Sequence, residues 1–193
     1  MGDSIPKTTK LWRVTGYDGF DSLKFIEEPV PELGDSEVLV KRSDGAGTVL
    51  AVGKNVTRFR VGDGVVTMLN QRHLAGSLDA AAEDSGLGGS IDGTLRSVGA
   101  FDEQGLVQMP QGLSFLEAAT LSCAGVTAWN ALFGQPGREL VVGQWVLTQG
   151  AGAVSVFALQ FAKAIGARVI TITSSDEKAR LLQKLGADHI INY

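Results

Sequence analysis

Residues 145–166 have the sequence WVLTQGAGAVSVFALQFAKAIG, which indicates the fold class of this chain. The first five residues are a mostly apolar run that predicts a strand, and Gly150-Ala151-Gly152 follows it directly. From Val154 to Ile165, apolar residues recur at the three- and four-residue spacing of one helix face. Gly166 then stands where a left-handed residue commonly ends a helix. The stretch therefore predicts a strand, a glycine turn and a helix.

The same alternation continues to the last residue of the chain. Residues 168–173 are apolar and β-branched, which predicts a second strand. Ser174-Ser175-Asp176-Glu177 has the spacing of a capping box and predicts a helix through Leu185, with Gly186 as its stop. Residues 189–193 begin a third strand. Strand, helix, strand, helix, strand at this spacing predicts a parallel βαβαβ unit.

The first part of the chain predicts β structure with many glycine corners. Short strand-like runs lie at 11–14, 22–26, 37–41, 48–52 and 62–68. Glycines flanking these runs indicate the tight corners of a small closed sheet. Residues 69–105 are the least regular, and 80–90 predict a mobile surface loop. A capping box at Ser114-Phe115-Leu116-Glu117 predicts a helix that runs to about Phe133.

Composition limits the class of protein. The chain has 193 residues, a net charge of −4 and 44% hydrophobic residues, so it has enough apolar material for a core. Its mild acidity disfavours nucleic-acid binding, and no apolar run approaches the roughly 18 residues of a membrane span. No secretion signal is evident in Met1 to Lys10, and the single cysteine, Cys123, forms no intrachain disulfide. These features predict a soluble protein of a reducing compartment, the cytoplasm.

The glycine turn predicts a nucleotide site. Gly150 permits the tight turn after the strand, and Gly152 lets the backbone approach a pyrophosphate at the start of the helix. The third glycine of the usual fingerprint is replaced by Ser155. The alternative is a glycine turn that serves only close packing of strand and helix.

The end of the second strand predicts which dinucleotide binds. An NAD-selective site places an acidic side chain there, whereas this chain has Thr173-Ser174-Ser175 followed by Lys178. Hydroxyl groups and a lysine ammonium suit a 2′-phosphate, which favours NADP(H). The alternative is that Ser174 is only a helix cap and Lys178 is only solvated.

Several motifs, taken in order along the chain, carry a resemblance to a known family. They include residues 23–31, 37–41, 43–53, 56–63, 117–129, 150–154, 162–163 and 186–193. The chain resembles the medium-chain dehydrogenase/reductase superfamily, in its zinc-type alcohol dehydrogenase-like or quinone oxidoreductase-like branch. The resemblance implies a β part and an α/β part. Residues 1–113 would form an incomplete GroES-like β-barrel domain, and 114–193 the first βαβαβ half of a Rossmann domain.

The resemblance also implies site residues and an activity. Thr127 would lie against the nicotinamide; the alternative, which the resemblance disfavours, is an ordinary helix hydroxyl that bonds back to a carbonyl. The pyrophosphate would be cradled by Gly150, Ala151, Gly152, Ala153 and Val154. The adenosine ribose and its 2′-phosphate would be surrounded by Ser174, Ser175, Lys178 and Tyr193. The implied activity is hydride transfer from NADPH to an enone, quinone or carbonyl compound, as in enoyl reductase domains, with no catalytic residue identified.

This sequence departs from the family at three places. Arg42 runs directly into Ser43, where family members have a further few tens of residues. Ser43 replaces a histidine that binds zinc in zinc-dependent relatives, and Cys123 alone matches a zinc ligand, so we expect a zinc-independent protein with Cys123 buried in a helix. The chain also ends after the third strand. The resemblance thus implies a truncated family member.

Two other functions stay open at this stage. The chain could be a non-catalytic dinucleotide-binding fragment, or a Rossmann-like methyltransferase, although the latter usually has an acidic residue after its second strand. His73 and His189 are expected at the surface and not as acid catalysts. A small molecule is the expected partner, and the resemblance is compatible with a homodimer.

Overall fold

The structure is a computed structural model that describes residues 4–16, 18–43 and 45–193, without the side chains of Arg42 and Ser43. Residues 1–3, Tyr17 and Asp44 lie outside the described residues. The N-terminal segment with no evident secretion signal and the junction after Arg42 are therefore described only in part. The chain divides into two compact units, residues 1–122 and 123–193. Across the described ranges, every helix is too short or too polar to cross a bilayer.

The first unit is built on antiparallel strands. They are β1 (Thr8–Val14), β2 (Leu23–Pro29), β3 (Glu37–Ser43), β4 (Ala46–Val52), β5 (Gly64–Thr67), β6 (Val98–Asp102) and β7 (Leu106–Gln108). β1 and β2 form a hairpin, and the others form a five-stranded sheet in the order β6-β3-β4-β5-β7. The strands expected from the sequence are present, and most extend a few residues further than the patterns indicate.

The two edges of the five-stranded sheet are consecutive in the chain. A 3-10 turn at Glu103–Gly105 joins β6 directly to β7. Within this turn, the buried Glu103 accepts hydrogen bonds through Oε2 from the backbone N–H groups of Thr57 and Arg58, both at 3.0 Å. A carboxylate held by two amides fixes the loop after β4 against the turn. The sheet therefore curves back towards its own first edge, as the predicted GroES-like domain requires.

The core of the first unit lies against β3. Val38, Val40 and Val49 pack in one buried cluster with Phe101 of β6 and Leu106 of β7. Each of these valines is at most 1% exposed. Strands from opposite ends of the sheet thus share one hydrophobic core, which supplies the main driving force for curvature.

Two segments in the first unit differ from the sequence-based expectation. Residues 98–102 were expected to be irregular. In the structure they form β6, because pairing with β3 stabilises a strand whose small residues obscure the alternating pattern. The expected mobile loop at 80–90 contains a short helix, α1 (Ala80–Glu83). Asp79 caps it by accepting a 2.8 Å hydrogen bond from the N–H of Ala82.

The predicted capping box before the next helix is present. Ser114 Oγ accepts from the N–H of Glu117 at 3.3 Å, and Glu117 Oε2 accepts from the N–H of Ser114 at 2.8 Å. The prediction of one regular helix to Phe133 is wrong. The segment is α2 (Phe115–Ala119), a π-helical turn (Leu121–Gly125) and α3 (Val126–Phe133). Serine and threonine hydroxyls that bond back to carbonyls, together with glycine, weaken the regular pattern there.

The second unit has the predicted βαβαβ order. Its elements after α3 are β8 (Trp145–Gln149), α4 (Ala153–Ala164), β9 (Arg168–Thr173), α5 (Asp176–Lys184) and β10 (His189–Asn192). The three strands are parallel in the order β10-β9-β8. Gly166 and Gly186, the predicted helix stops, have φ angles of 82° and 101°. The α/β half of the predicted fold is confirmed.

Both crossover helices cover the same face of this sheet. Leu159 of α4 and Leu182 of α5 pack in one cluster with Val169 of β9, and each is fully buried. On α3, Trp129 contacts Phe161 of α4 edge-on, with ring centroids 5.7 Å apart. The other face of the sheet carries the exposed side chain of Leu147.

Candidate dinucleotide-binding site

The carboxyl ends of the three parallel strands meet at one edge of the sheet. The N–H of Gly150, just after β8, donates a 2.7 Å hydrogen bond to the carbonyl of Ile172 in β9. The N–H of Tyr193, just after β10, donates a 3.1 Å bond to the carbonyl of Thr173. These bonds place the glycine turn, the end of β9 and Tyr193 side by side. In open α/β sheets this is the edge at which ligands bind.

The glycine turn has the geometry of a phosphate cradle. Gly150 has a φ of 83°, a conformation that disfavours residues with a side chain. A Cβ atom built on Gly152 would meet nothing within 4 Å, so open space lies in front of the backbone where α4 begins. Gly152 is the N-cap of α4 and supplies no capping side chain. The first N–H groups of this helix therefore remain available to an anion, and the turn fits a pyrophosphate.

The remaining residues of the turn divide between packing and exposure. Ala151 is half-buried and packs against the core of the second unit. Ala153 and Val154 form the first turn of α4, and both are exposed. Ala151 thus anchors the turn, whereas Ala153 and Val154 present backbone and small apolar surface to the solvent.

Ser155 has a structural role that its place in the fingerprint does not reveal. Its Oγ donates a 2.9 Å hydrogen bond to the carbonyl of Gln149, the last residue of β8. The third glycine of the fingerprint normally permits close packing of strand and helix. In this chain a hydroxyl joins the two elements instead. In the sequence, the replacement of glycine by serine at this position is the one feature that points to this bond.

The end of β9 differs in one respect from the predicted capping box. The N-cap of α5 is Ser175, whose Oγ accepts a 3.4 Å hydrogen bond from the N–H of Lys178. The capping box predicted from Ser174 is wrong, because the chain stays extended for one more residue before the helix begins. Ser174 is exposed, and its hydroxyl makes no hydrogen bond within the described part of the chain.

Lys178 and Tyr193 are both accessible near this edge. Lys178 lies in the first turn of α5 and is exposed, and no carboxylate among the described residues forms an ion pair with its ammonium. Tyr193 is 78% exposed, although its backbone N–H is bonded to β9. The structure therefore brings Ser174, Ser175 and Tyr193 to one edge, with Lys178 one helical turn further on.

A second polar contact at this edge was not found from the sequence. Asn192, the last residue of β10, donates through Nδ2 a 2.6 Å hydrogen bond to Oδ1 of Asp176, the first residue of α5. In the parallel register, Asn192 lies opposite Thr173 of β9. The two partners are 16 residues apart in sequence, so no local pattern indicates the contact.

Asp188 fixes the start of β10 and so the position of its carboxyl end. Its Oδ2 accepts from the ammonium of Lys163 at 2.8 Å and from the N–H of Val169 at 2.7 Å. The hydrogen bond from Lys163, followed by that from Val169, lowers the pKa of Asp188 below its ordinary value of 3.8. Lys163 belongs to α4 and Val169 to β9, so one carboxylate ties three elements together.

Thr127 and Cys123 belong to the helical segment that precedes β8. Thr127 is exposed in the first turn of α3, and its hydroxyl bonds to no described residue. Cys123 is exposed, so the expectation of a buried cysteine is wrong: it lies in the π-helical turn, not in a regular helix face. Within the described ranges, no three His, Cys, Asp or Glu residues are grouped as metal ligands.

The two histidines make local contacts within their own units. His73 Nε2 lies 3.1 Å from the carbonyl of Gly76 in the first unit. His189 stands at the amino end of β10, where its ring stacks on Trp145 with centroids 5.6 Å apart. Neither observation assigns an acid catalyst.

Comparison with known families agrees with this architecture. The family model described as alcohol dehydrogenase GroES-like domain matches residues 13–111, which is more than half of the chain. The model described as zinc-binding dehydrogenase matches residues 153–193. The chain belongs to the medium-chain dehydrogenase/reductase superfamily. In this family member the GroES-like domain comes first and the Rossmann half follows it, as the sequence predicts.

Individual relatives are similar over most of this family member. A zinc-type alcohol dehydrogenase-like protein from Schizosaccharomyces pombe is 42% identical over 204 residues, covering 91% of this chain and 59% of the relative. A putative alcohol dehydrogenase structure from Sinorhizobium meliloti has 35% identity and a TM-score of 0.89, covering 98% of this chain and 64% of that chain.

A quinone oxidoreductase structure from Pseudomonas syringae has 27% identity and a TM-score of 0.74, covering 96% of this chain and 59% of that chain. The chain thus spans about three fifths of the length of these relatives. The methyltransferase alternative is wrong, because both halves of the chain match dehydrogenase families.

Proposed function

We propose that this family member binds NADP(H) at the carboxyl edge of its three-stranded sheet. The observation that carries the proposal is the hydrogen bond of Gly150 to Ile172, which holds an open glycine turn beside the hydroxyl-bearing end of β9. In the proposal, residues 150–154 bind the pyrophosphate. Ser174, Ser175, Lys178 and Tyr193 bind the adenosine ribose and its 2′-phosphate, and Thr127 lies beside the nicotinamide.

The proposed reaction is hydride transfer to an enone, quinone or carbonyl compound. The bound dinucleotide supplies the hydride, while this chain contributes binding and orientation. The family membership and the similarity to a quinone oxidoreductase structure support the reaction class. We propose that the reaction does not depend on zinc, since catalytic zinc takes three protein ligands and only Cys123 matches a ligand position. The single cysteine also suits a reducing compartment such as the cytoplasm.

Cofactor selectivity tests the binding proposal. Lys178→Ala is expected to weaken NADPH binding about threefold to fivefold, the effect of one exposed charge pair, and to leave NADH binding unchanged. The measurement is a fluorescence titration of the 193-residue chain with each dinucleotide.

Lys184→Ala is the matched control, because Lys184 is an exposed lysine in the last turn of the same helix. This control should leave both dissociation constants unchanged. Equal losses for NADPH and NADH in Lys178→Ala, or no NADPH preference in the unmodified chain, would contradict the NADP(H) proposal.

A second candidate function is dinucleotide binding without turnover. It is favoured by the open glycine turn at the start of α4, which supplies a place for a pyrophosphate without itself supplying a group for the chemistry. Assaying NADPH oxidation with a quinone and with an enone separates the two candidates. Turnover by this chain supports the oxidoreductase, and saturable NADPH binding without turnover supports the binding fragment.

A further inference from the structure

The Asn192–Asp176 hydrogen bond lies where cofactor selectivity would be determined. Asp176 is the acidic residue that follows the tip of β9 most closely, three positions after Thr173. A carboxylate near the tip of the second strand favours NAD(H), because it accepts from the ribose 2′-hydroxyl and repels a 2′-phosphate. A chain that binds NADP(H) must therefore control this carboxylate.

Asn192 provides that control through its position in the sheet. It lies opposite Thr173, so its amide reaches the start of α5 from the neighbouring strand. Its Nδ2 donates to Asp176 Oδ1 at 2.6 Å, a short bond of the kind that a carboxylate accepts from an amide. The bond holds the carboxylate towards β10. By contrast, Ser174 and Lys178 make no side-chain hydrogen bond or ion pair within the described residues.

We propose that Asn192 is a specificity-determining residue that acts through Asp176. By holding the Asp176 carboxylate, it leaves the Ser174 hydroxyl and the Lys178 ammonium to meet the 2′-phosphate of NADP(H). Asn192 is a positioning residue and need not touch the cofactor. This inference rests on the proposed function and deepens it.

Releasing Asp176 tests the inference. Asn192→Ala is expected to weaken NADPH binding about threefold to fivefold, the effect of freeing one exposed charge, and to leave NADH binding unchanged or tighter. The double variant Asn192→Ala with Asp176→Asn is expected to recover the NADPH affinity, because the freed group then has no charge. A merely structural role of the bond predicts losses for both dinucleotides and no recovery.

Gln183→Ala is the matched control, since Gln183 is an exposed amide near the other end of α5. It should change neither dissociation constant. The ratio of NADPH to NADH affinity is measured by fluorescence titration for each form of the 193-residue chain.

The two proposals fail in different measurements. The ratio in the unmodified chain tests NADP(H) binding, and a ratio at or below one overturns the proposed function together with this inference. A chain that prefers NADPH but keeps the same ratio in Asn192→Ala overturns the role of Asn192 alone. Failure of the double variant to recover NADPH affinity overturns it as well.

Discussion

Asp188 shows how one side chain organises the second unit at the scale of a residue. It accepts hydrogen bonds from Lys163 of α4 and Val169 of β9, while its own N–H donates to the Val169 carbonyl at 2.9 Å. The carboxylate is stabilised relative to the acid, which is why its pKa lies below 3.8. A group with a lowered folded-state pKa stabilises the fold above its unfolded-state pKa.

Asp188→Asn is therefore expected to lower the midpoint of denaturant unfolding at pH 7. The difference from the unmodified chain should shrink as the pH falls below 3.8 through the folded-state pKa, because the unmodified carboxyl is then protonated as well. Urea unfolding at a series of pH values between neutral and acid measures this. Glu139→Gln, which neutralises an exposed carboxylate in the same unit, is the matched control and should leave the midpoint at pH 7 nearly unchanged. A constant difference at every pH would contradict the assignment.

At the same scale, the capping serines show the limit of a local pattern. Ser174 and Ser175 are both suitable caps, and the spacing to Glu177 favoured Ser174. The structure uses Ser175, because β9 stays paired with β10 through Thr173 and the chain turns one residue later. The identity of the cap depends on where the neighbouring strand ends, which is 16 or more residues away.

The junction of β8 and α4 is the element-scale feature on which the proposed site depends. Gly150 turns the chain, and Ser155 then bonds back to Gln149, so the first turn of the helix is held against the end of the strand. This bond orients the backbone N–H groups that would face a pyrophosphate. Both dinucleotides share the pyrophosphate, so this junction should affect both alike.

Ser155→Ala is expected to weaken NADPH and NADH binding by the same factor, about fivefold, which is the usual contribution of one hydrogen bond. Ser155→Gly restores the residue that the fingerprint has at this position and should lose less affinity, because glycine permits closer packing. Titration with each dinucleotide provides the measurement. A loss confined to NADPH would show that Ser155 acts at the 2′-phosphate and not at the junction.

At the scale of the whole molecule, the three-stranded sheet is covered on one face. Leu147, Trp145 and Ile191 are 63%, 48% and 50% exposed, and Leu147 lies opposite Ile170 in the register with β9. Parallel sheets are normally covered on both faces. Exposed apolar side chains of this size promote self-association.

Leu147→Lys is therefore expected to reduce the binding of a hydrophobic dye and the light scattering of concentrated solutions. Val61→Lys is the matched control, because Val61 is 60% exposed and lies outside the strands and helices. This control should change dye binding and scattering much less. Equal effects of the two substitutions would show that the sheet face has no special tendency to associate.

The second unit was largely predictable from sequence, and the first much less so. In the second unit, β8 and β9 have the bounds that their apolar runs indicate, and both helices end at the expected glycines. These elements are determined by periodicity within windows of about 11 to 18 residues. In the first unit, the sequence did not predict β6, because its alternation of apolar and polar residues is weak. The strand forms through its pairing with β3, some 60 residues earlier in the chain.

The proposed site divides in the same way. The positions of Gly150, Gly152 and the serines after β9 follow from local patterns, because turns and helix starts depend on neighbouring residues. The exposure of Cys123, the bond from Ser155 to Gln149 and the Asn192–Asp176 contact emerged only from the folded chain. Local backbone preferences act over one or two turns, whereas side-chain contacts between strands and helices exist only once the sheet has brought distant residues together.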